Sequence, residues 1–142
     1  MKERVFLDTN VLVYLFDTDA PTKQRRVQEL LSNRELRAQV ILSTQVLQEF
    51  YVSVTRKLTT PLSLETAFQA VQDLAVFPIV QIDTPLILLA IRRSGKAKIS
   101  FWDALILEAA LIAGATVLYS EDFQDGAVFG GLQIENPFKV SV

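Results

Sequence analysis

Acidic side chains at four separated places are the groups whose type and setting can do chemistry. Asp8 closes the apolar run Val5-Phe6-Leu7, and Glu49 lies among Val46, Leu47, Phe50 and Val54. Asp103 follows Ser100-Phe101-Trp102, and Asp122 comes after the apolar run Thr116 to Tyr119 with Ser120 and Glu121 between. Asp125 lies a little further on. Carboxylates brought together raise one another's pKa and oppose folding unless a cation neutralises them. With oxygen donors alone that cation should be hard, Mg²⁺ or Mn²⁺ rather than zinc. Any catalysis would then rest on such an ion bound through oxygen, or on carboxylates, hydroxyls, amides, Lys or Tyr.

Composition supports carboxylate chemistry by exclusion. The 142 residues include no histidine and no cysteine. Disulfides, thiol nucleophiles, iron–sulfur clusters and Cys-ligated zinc are therefore out, as are a Ser-His-Asp triad and a histidine general base. Lys and Arg number 14 against 16 Asp and Glu, a net charge of −2, so there is no global pull toward nucleic acid. The start, Met1 to Asp8, has no signal-peptide h-region, and the apolar stretch Ala104 to Tyr119 is interrupted by Glu108. A cytoplasmic protein with no membrane span is expected.

Each acid also has a purely structural reading. Asp8 suits a strand-end turn, Glu49 a solvent-facing helix position, and Asp122 and Asp125 ordinary loops. Ser100 to Asp103 matches a capping box, a role compatible with facing a cleft. Glu108 is expected to pair with a Lys or Arg or to reach the surface.

The elements that must position these acids follow from periodicity. Strands are expected at Val5 to Leu7, Val40 to Leu42, Phe77 to Ile82 and Thr116 to Tyr119, with a fifth at Leu132 to Ile134 after the turn Gly126 to Gly131. Helices are expected over Asn10 to Phe16, Thr22 to Leu31, from a Ser43 or Thr44 cap to Lys57, and from Ser63 onward. A further helix opens at an N-cap Thr84 with Pro85 and ends at Gly95, and another runs from Ser100 to Gly114. Continuous apolar strands alternating with helices describe a mainly parallel α/β sheet of four to five strands, covered on both faces. Residues 1–142 read as a single domain. Ligands of such sheets bind beyond the strands' carboxyl ends, where the acids fall.

These pieces together resemble a family. Phe6-Leu7-Asp8-Thr9-Asn10-Val11-Leu12, Glu49 after the second strand, Ser100-Phe101-Trp102-Asp103-Ala104-Leu105-Ile106, Tyr119-Ser120-Glu121-Asp122-Phe123 and Asn136-Pro137-Phe138 look like a PIN-domain nuclease of the VapC type. The resemblance implies a three-layer α/β/α PIN-like domain in which Asp8, Glu49, Asp103 and Asp122 bind Mg²⁺ or Mn²⁺. It implies that Asn10 and Ser120 support them, with Ser120 standing where the family usually has Thr, and that Asp125 matches an additional acid of some members. It further implies a homodimer, cleavage of RNA to 5′-phosphate and 3′-hydroxyl ends, and inhibition by a cognate antitoxin.

Substrate contacts are expected from Arg92, Arg93, Lys96 and Lys98, just ahead of the Asp103 helix, although favourable C-terminal helix charges explain them as well. Lys23, Arg25 and Arg26 are expected on a solvated helix face. Phe101 and Trp102 are expected in the core, with base stacking as the alternative. Val13, Leu15, Phe16, Leu30, Leu31, Phe50 and Tyr51 are mostly core, with an exposed groove for a partner helix as the alternative. Three other classes compete. A haloacid-dehalogenase-type phosphotransferase would want an acid at Asn10, a response-regulator receiver would use Asp83, and an inactive module of this fold would need none of the acids.

Overall fold

The computed structural model describes residues 3–139. The sheet forms from short apolar strands: β1 (Val5–Leu7), β2 (Val40–Ser43), β3 (Ile79–Val80), β4 (Val117–Tyr119), β5 (Val128–Phe129) and β6 (Leu132–Glu135). Their order is β3-β2-β1-β4-β6-β5, parallel except for the antiparallel β5–β6 pair. Phe6 sits opposite both Ile41 and Leu118 in register, and all three are buried. β1 is therefore central, and a central parallel strand carries apolar side chains on both faces.

Between the strands run α1 (Thr9–Val13), a 3₁₀ turn (Tyr14–Phe16), α2 (Pro21–Ser32), α3 (Arg34–Arg37), α4 (Thr44–Arg56), α5 (Leu64–Leu74), α6 (Thr84–Ala97) and α7 (Phe101–Ile112). The architecture is the expected three-layer α/β/α one, with six strands instead of four to five. The missed strand, β5, is two residues long, half exposed, and joined to β6 across Gly130, whose φ of 61° makes the tight turn. No period-2 pattern of two residues is readable, so the segment looked like turn throughout.

Other boundaries moved for local reasons. The α6 cap is Asp83, whose carboxylate accepts from Leu86 N (3.1 Å), and Pro85 follows in the first turn. The helix continues past Gly95 to Ala97 and stops at Lys98, which takes a left-handed φ of 55°. α3 is a single turn and so carries no periodicity in the sequence; Asn33 caps it by accepting from Leu36 N. The third strand shrinks to Ile79–Val80, and the first helix tightens into a 3₁₀ turn at Tyr14. Ser43 and Ser100 cap α4 and α7 as expected.

Successive strands β1, β2 and β3 run to one side of β1, whereas β4 lies on its other side. The chain's winding thus reverses between β1 and β4, and a crevice opens at their carboxyl ends. α4 leaves β2 at that edge, and α7, running back toward β4, begins there. Among the described residues, no helix is long and apolar enough to cross a membrane.

Candidate active site

A cavity of about 550 Å³ occupies this crevice. It is lined by Asp8 and Asn10, by Glu49 and its α4 neighbours, by Trp102 and Asp103, and by Asp122. The four acids thus come from four segments to one site.

Asp8 is 4% exposed and caps α1. Thr9 N donates to its Oδ1 and Ser120 Oγ to its Oδ2, each at 2.7 Å. Fully buried Ser120 also accepts from Asp122 N at 3.0 Å, so one hydroxyl registers two of the acids. Burial pushes the Asp8 carboxyl up to about 7; Ser120 and Thr9 oppose the shift, and the charges of Asp122 and Glu49 add to it. Asp103 is raised as well, chiefly by burial; the side-chain hydrogen bond with Ser100 opposes the shift, and the charges of Asp122 and Glu49 add to it. The carboxylates therefore feel one another.

Glu49 faces the cavity because α4 is two-sided. Val46, Phe50 and Val54, spaced by four, are fully buried. This turns Glu49, Val52 and Ser53 toward the crevice. Thr9 Oγ1 donates to Glu49 Oε1 at 2.9 Å, holding the acid across from α1. Asn10 Oδ1 accepts from Glu121 N (3.4 Å), while its buried Nδ2 has no hydrogen-bond partner.

Other sequence-based candidates fall elsewhere. Asp125 lies outside the cavity lining; it accepts from Asn136 N (2.8 Å) and pairs with Lys139 (3.4 Å), tying down the C-terminal loop. Arg92, Arg93, Lys96 and Lys98 do not line the cavity either. Arg93 is taken by Glu108, which is 8% exposed in α7, and the pair bridges α6 and α7. Lys23 is not on a solvated face: it pairs with Glu121, accompanied by a Tyr14 Oη–Glu121 bond of 2.6 Å. Arg26 Nε donates to Pro137 O at 2.9 Å, and Arg25 is exposed. Trp102 is not in the core but 60% exposed at the cavity. Phe50 and Leu30 are buried, whereas Val13, Leu15, Phe16 and Leu31 pack partly buried on the core and Tyr51 is exposed. Asp83 is spent on the α6 cap and does not line the cavity, which removes the receiver alternative's phosphoacceptor.

Three lining residues carried no signal that periodicity or motif could expose: Asp17, Gln45 and Lys57. Asp17 stands in a turn, accepting from Asp19 N at 3.0 Å. Lys57 falls just past the end of α4. Buried Gln45 donates to Trp102 O at 3.1 Å.

A divalent ion fits this donor set. Asp8, Asp17, Glu49, Asp103 and Asp122 against Lys57 make five carboxylates to one ammonium. Among the described residues, none of the five is ion-paired. An all-oxygen ring of uncompensated charge suits a hard cation. The acids encircle the space without converging: among the described residues, no three acidic side chains form a ready-made metal cluster.

The PIN-domain family profile matches residues 5–124. No curated protein sequence matches the chain. Among solved structures, the chain is similar to a toxin–antitoxin complex from Klebsiella pneumoniae, with 20% identity, a TM-score of 0.68 and coverage of 96% of this chain and 99% of that one. It is also similar to DNA-bound VapBC from Salmonella typhimurium (17% identity, TM-score 0.62, coverage 94% and 97%). A third is the sarcin-ricin loop cleaving toxin VapC20 of Mycobacterium tuberculosis (19% identity, TM-score 0.58, coverage 83% and 89%). At these identities the structural likeness speaks for the fold, and the profile, spanning every element from β1 through the Asp122 loop, places the chain in the PIN-domain family.

Proposed function

We propose that the protein is a metal-dependent endoribonuclease and the toxin of a toxin–antitoxin pair. The observation that carries the nuclease reading is that Asp8, Glu49, Asp103 and Asp122, from four separate segments, line one cavity, with the Asp8 carboxyl pushed up to about 7. Asp8, Asp103 and Asp122 would hold Mg²⁺ or Mn²⁺, with Glu49 beside them. The ion, when bound, supplies Lewis-acid activation of water and neutralises charge on the phosphoryl group.

The chain's own residues do the rest. Ser120 orients Asp8 through its O–H and anchors the Asp122 backbone, so two acids keep a fixed spacing. Thr9 sets the rotamer of Glu49. A carboxylate not spent on an ion takes the proton of the attacking water, a role that requires no histidine. The toxin reading and a cognate antitoxin partner are supported by similarity to toxin–antitoxin complexes across nearly the whole chain; an antitoxin that covers the site, a homodimer and a cytoplasmic location belong to the same proposal.

The test is cleavage of a structured RNA by the purified chain with Mg²⁺ or Mn²⁺, compared with EDTA and with Asp8→Asn. Cleavage indifferent to both would sink the metal-site assignment. Induced expression should arrest growth, and the Asp8→Asn form should not.

A further inference from the structure

The cavity holds two features that hydrolysis by carboxylates does not use. One is Trp102, the chain's single tryptophan, 60% exposed beside Asp103. Isolated exposed hydrophobes need no explanation. This one lines the acidic cavity, with its backbone pinned on one side and its ring touching an aromatic neighbour. Gln45 Nε2 fixes its carbonyl at 3.1 Å, and the Phe101 ring meets it edge-on with centroids 5.0 Å apart. Gln45 is buried, so this brace is part of the fold. An exposed indole at a cavity wall, on a backbone pinned by a buried side chain, offers a stacking surface for a base.

The other feature is Lys57, the one cation among the cavity-lining residues. Among the described residues, it has no ion-pair partner. It follows Glu49 on α4 by about 12 Å of helix rise, so it meets a different stretch of a bound strand than the acids do. An unpaired ammonium and an exposed aromatic ring lining one cavity are the pair of groups that grips single-stranded nucleic acid, phosphate to the cation and base to the ring. The basic residues nearest in sequence do not compete, since Arg92, Arg93, Lys96 and Lys98 lie outside the lining.

We propose that Trp102 stacks on a base, and Lys57 contacts a phosphate, of the strand held at the acids, so that the cavity accepts an unpaired nucleotide. The inference rests on the nuclease reading above. A base inside a duplex has both faces covered by its neighbours and must leave the stack to meet the indole, at a cost of unstacking.

The experiment uses the full chain carrying Asp8→Asn, to hold substrate uncut in Mg²⁺, and a single-stranded oligoribonucleotide against the same sequence as a duplex. The single strand should quench the intrinsic fluorescence of Trp102, and the duplex should not. By anisotropy of labelled single strand, adding Trp102→Ala should weaken binding roughly tenfold to a hundredfold, and Trp102→Phe should restore most of it. Lys57→Ala should flatten the salt dependence by about 0.7 in log–log slope, with Lys57→Arg retaining it. Equal quenching by duplex, or a Trp102→Ala protein that binds as its parent does, overturns the stacking role while leaving cleavage by the unsubstituted chain intact. An unsubstituted chain that neither binds nor cuts any RNA with Mg²⁺ or Mn²⁺ overturns both this proposal and the nuclease reading.

Discussion

Replacing Asp8 by Asn should make the ion-free protein more stable at alkaline pH, although it removes a residue central to the site. Burial and neighbouring acids push the Asp8 carboxyl from its ordinary 3.8 up to about 7. The native state therefore holds this proton more tightly than the unfolded chain does. Between about pH 4 and 7 the folded form binds the extra proton, and stability falls as pH rises through that window, levelling off above it. A displacement of roughly three pH units, at about 1.4 kcal/mol each, makes the ionised carboxylate cost about 4 kcal/mol above pH 7. Asn avoids that cost but cannot accept from both the Ser120 hydroxyl and Thr9 N, as Asp8 does. Losing one such bond subtracts about 1–2 kcal/mol. The net expectation is a gain of about 2–3 kcal/mol at pH 8.5 in EDTA, shrinking to nothing or reversing at pH 4. Urea unfolding at both pH values measures it. Adding Mg²⁺ should close the gap, since saturation at a hundredfold over Kd adds about 2.7 kcal/mol to the form that binds it, about as much as the substitution gains. If Asp8→Asn is no more stable than the parent at pH 8.5 in EDTA, or if the gap is the same at pH 4 and 8.5, the account of Asp8 as a carboxyl raised by burial beside other acids is wrong.

The remaining predictions concern the residues that hold the acids in place. Ser120→Ala removes a bond that lowers the Asp8 pKa, so the acid limb of the activity–pH profile should move to higher pH, with a stability loss of about 1–3 kcal/mol in urea. Thr9→Val frees the Glu49 carboxylate and should lower kcat more than it alters stability, measured by single-turnover cleavage. Arg93→Ala leaves Glu108 buried without its partner and should cost about 2–4 kcal/mol, whereas exposed Arg92→Ala should stay within about 0.5 kcal/mol; thermal melts of the two separate a structural pair from a substrate contact. Lys23→Ala loosens the Glu121 end of the loop carrying Asp122, and should reduce the metal affinity read by titration calorimetry without unfolding the chain.

The sequence by itself determined the parallel strands at the centre of the sheet and where its acids stand along the chain. Apolar runs ending at Asp8 and ahead of Ser120 mark buried strands because a central parallel strand has no polar face, and Ser43 and Ser100 announce helix starts because orphan backbone N–H groups need an acceptor. Parallel connectivity then puts those strand ends on one edge. Contacts between side chains distant in sequence had no local signature. That Glu108 takes Arg93, that Lys23 takes Glu121, and that Asp125 serves the C-terminal loop depends on which helix faces meet. A charge run such as Arg92 to Lys98 reads the same whether it is paired, solvated or bound to phosphate. Trp102 was expected in the core by residue type, but its place in the first turn of α7, at the sheet's open edge, leaves it facing the crevice. Lys57 and Asp17 join the cavity only through folding, because the end of α4 and the turn after the first helix contribute to its lining. Periodicity reports which face of an element is apolar, and only packing decides what the polar face looks at.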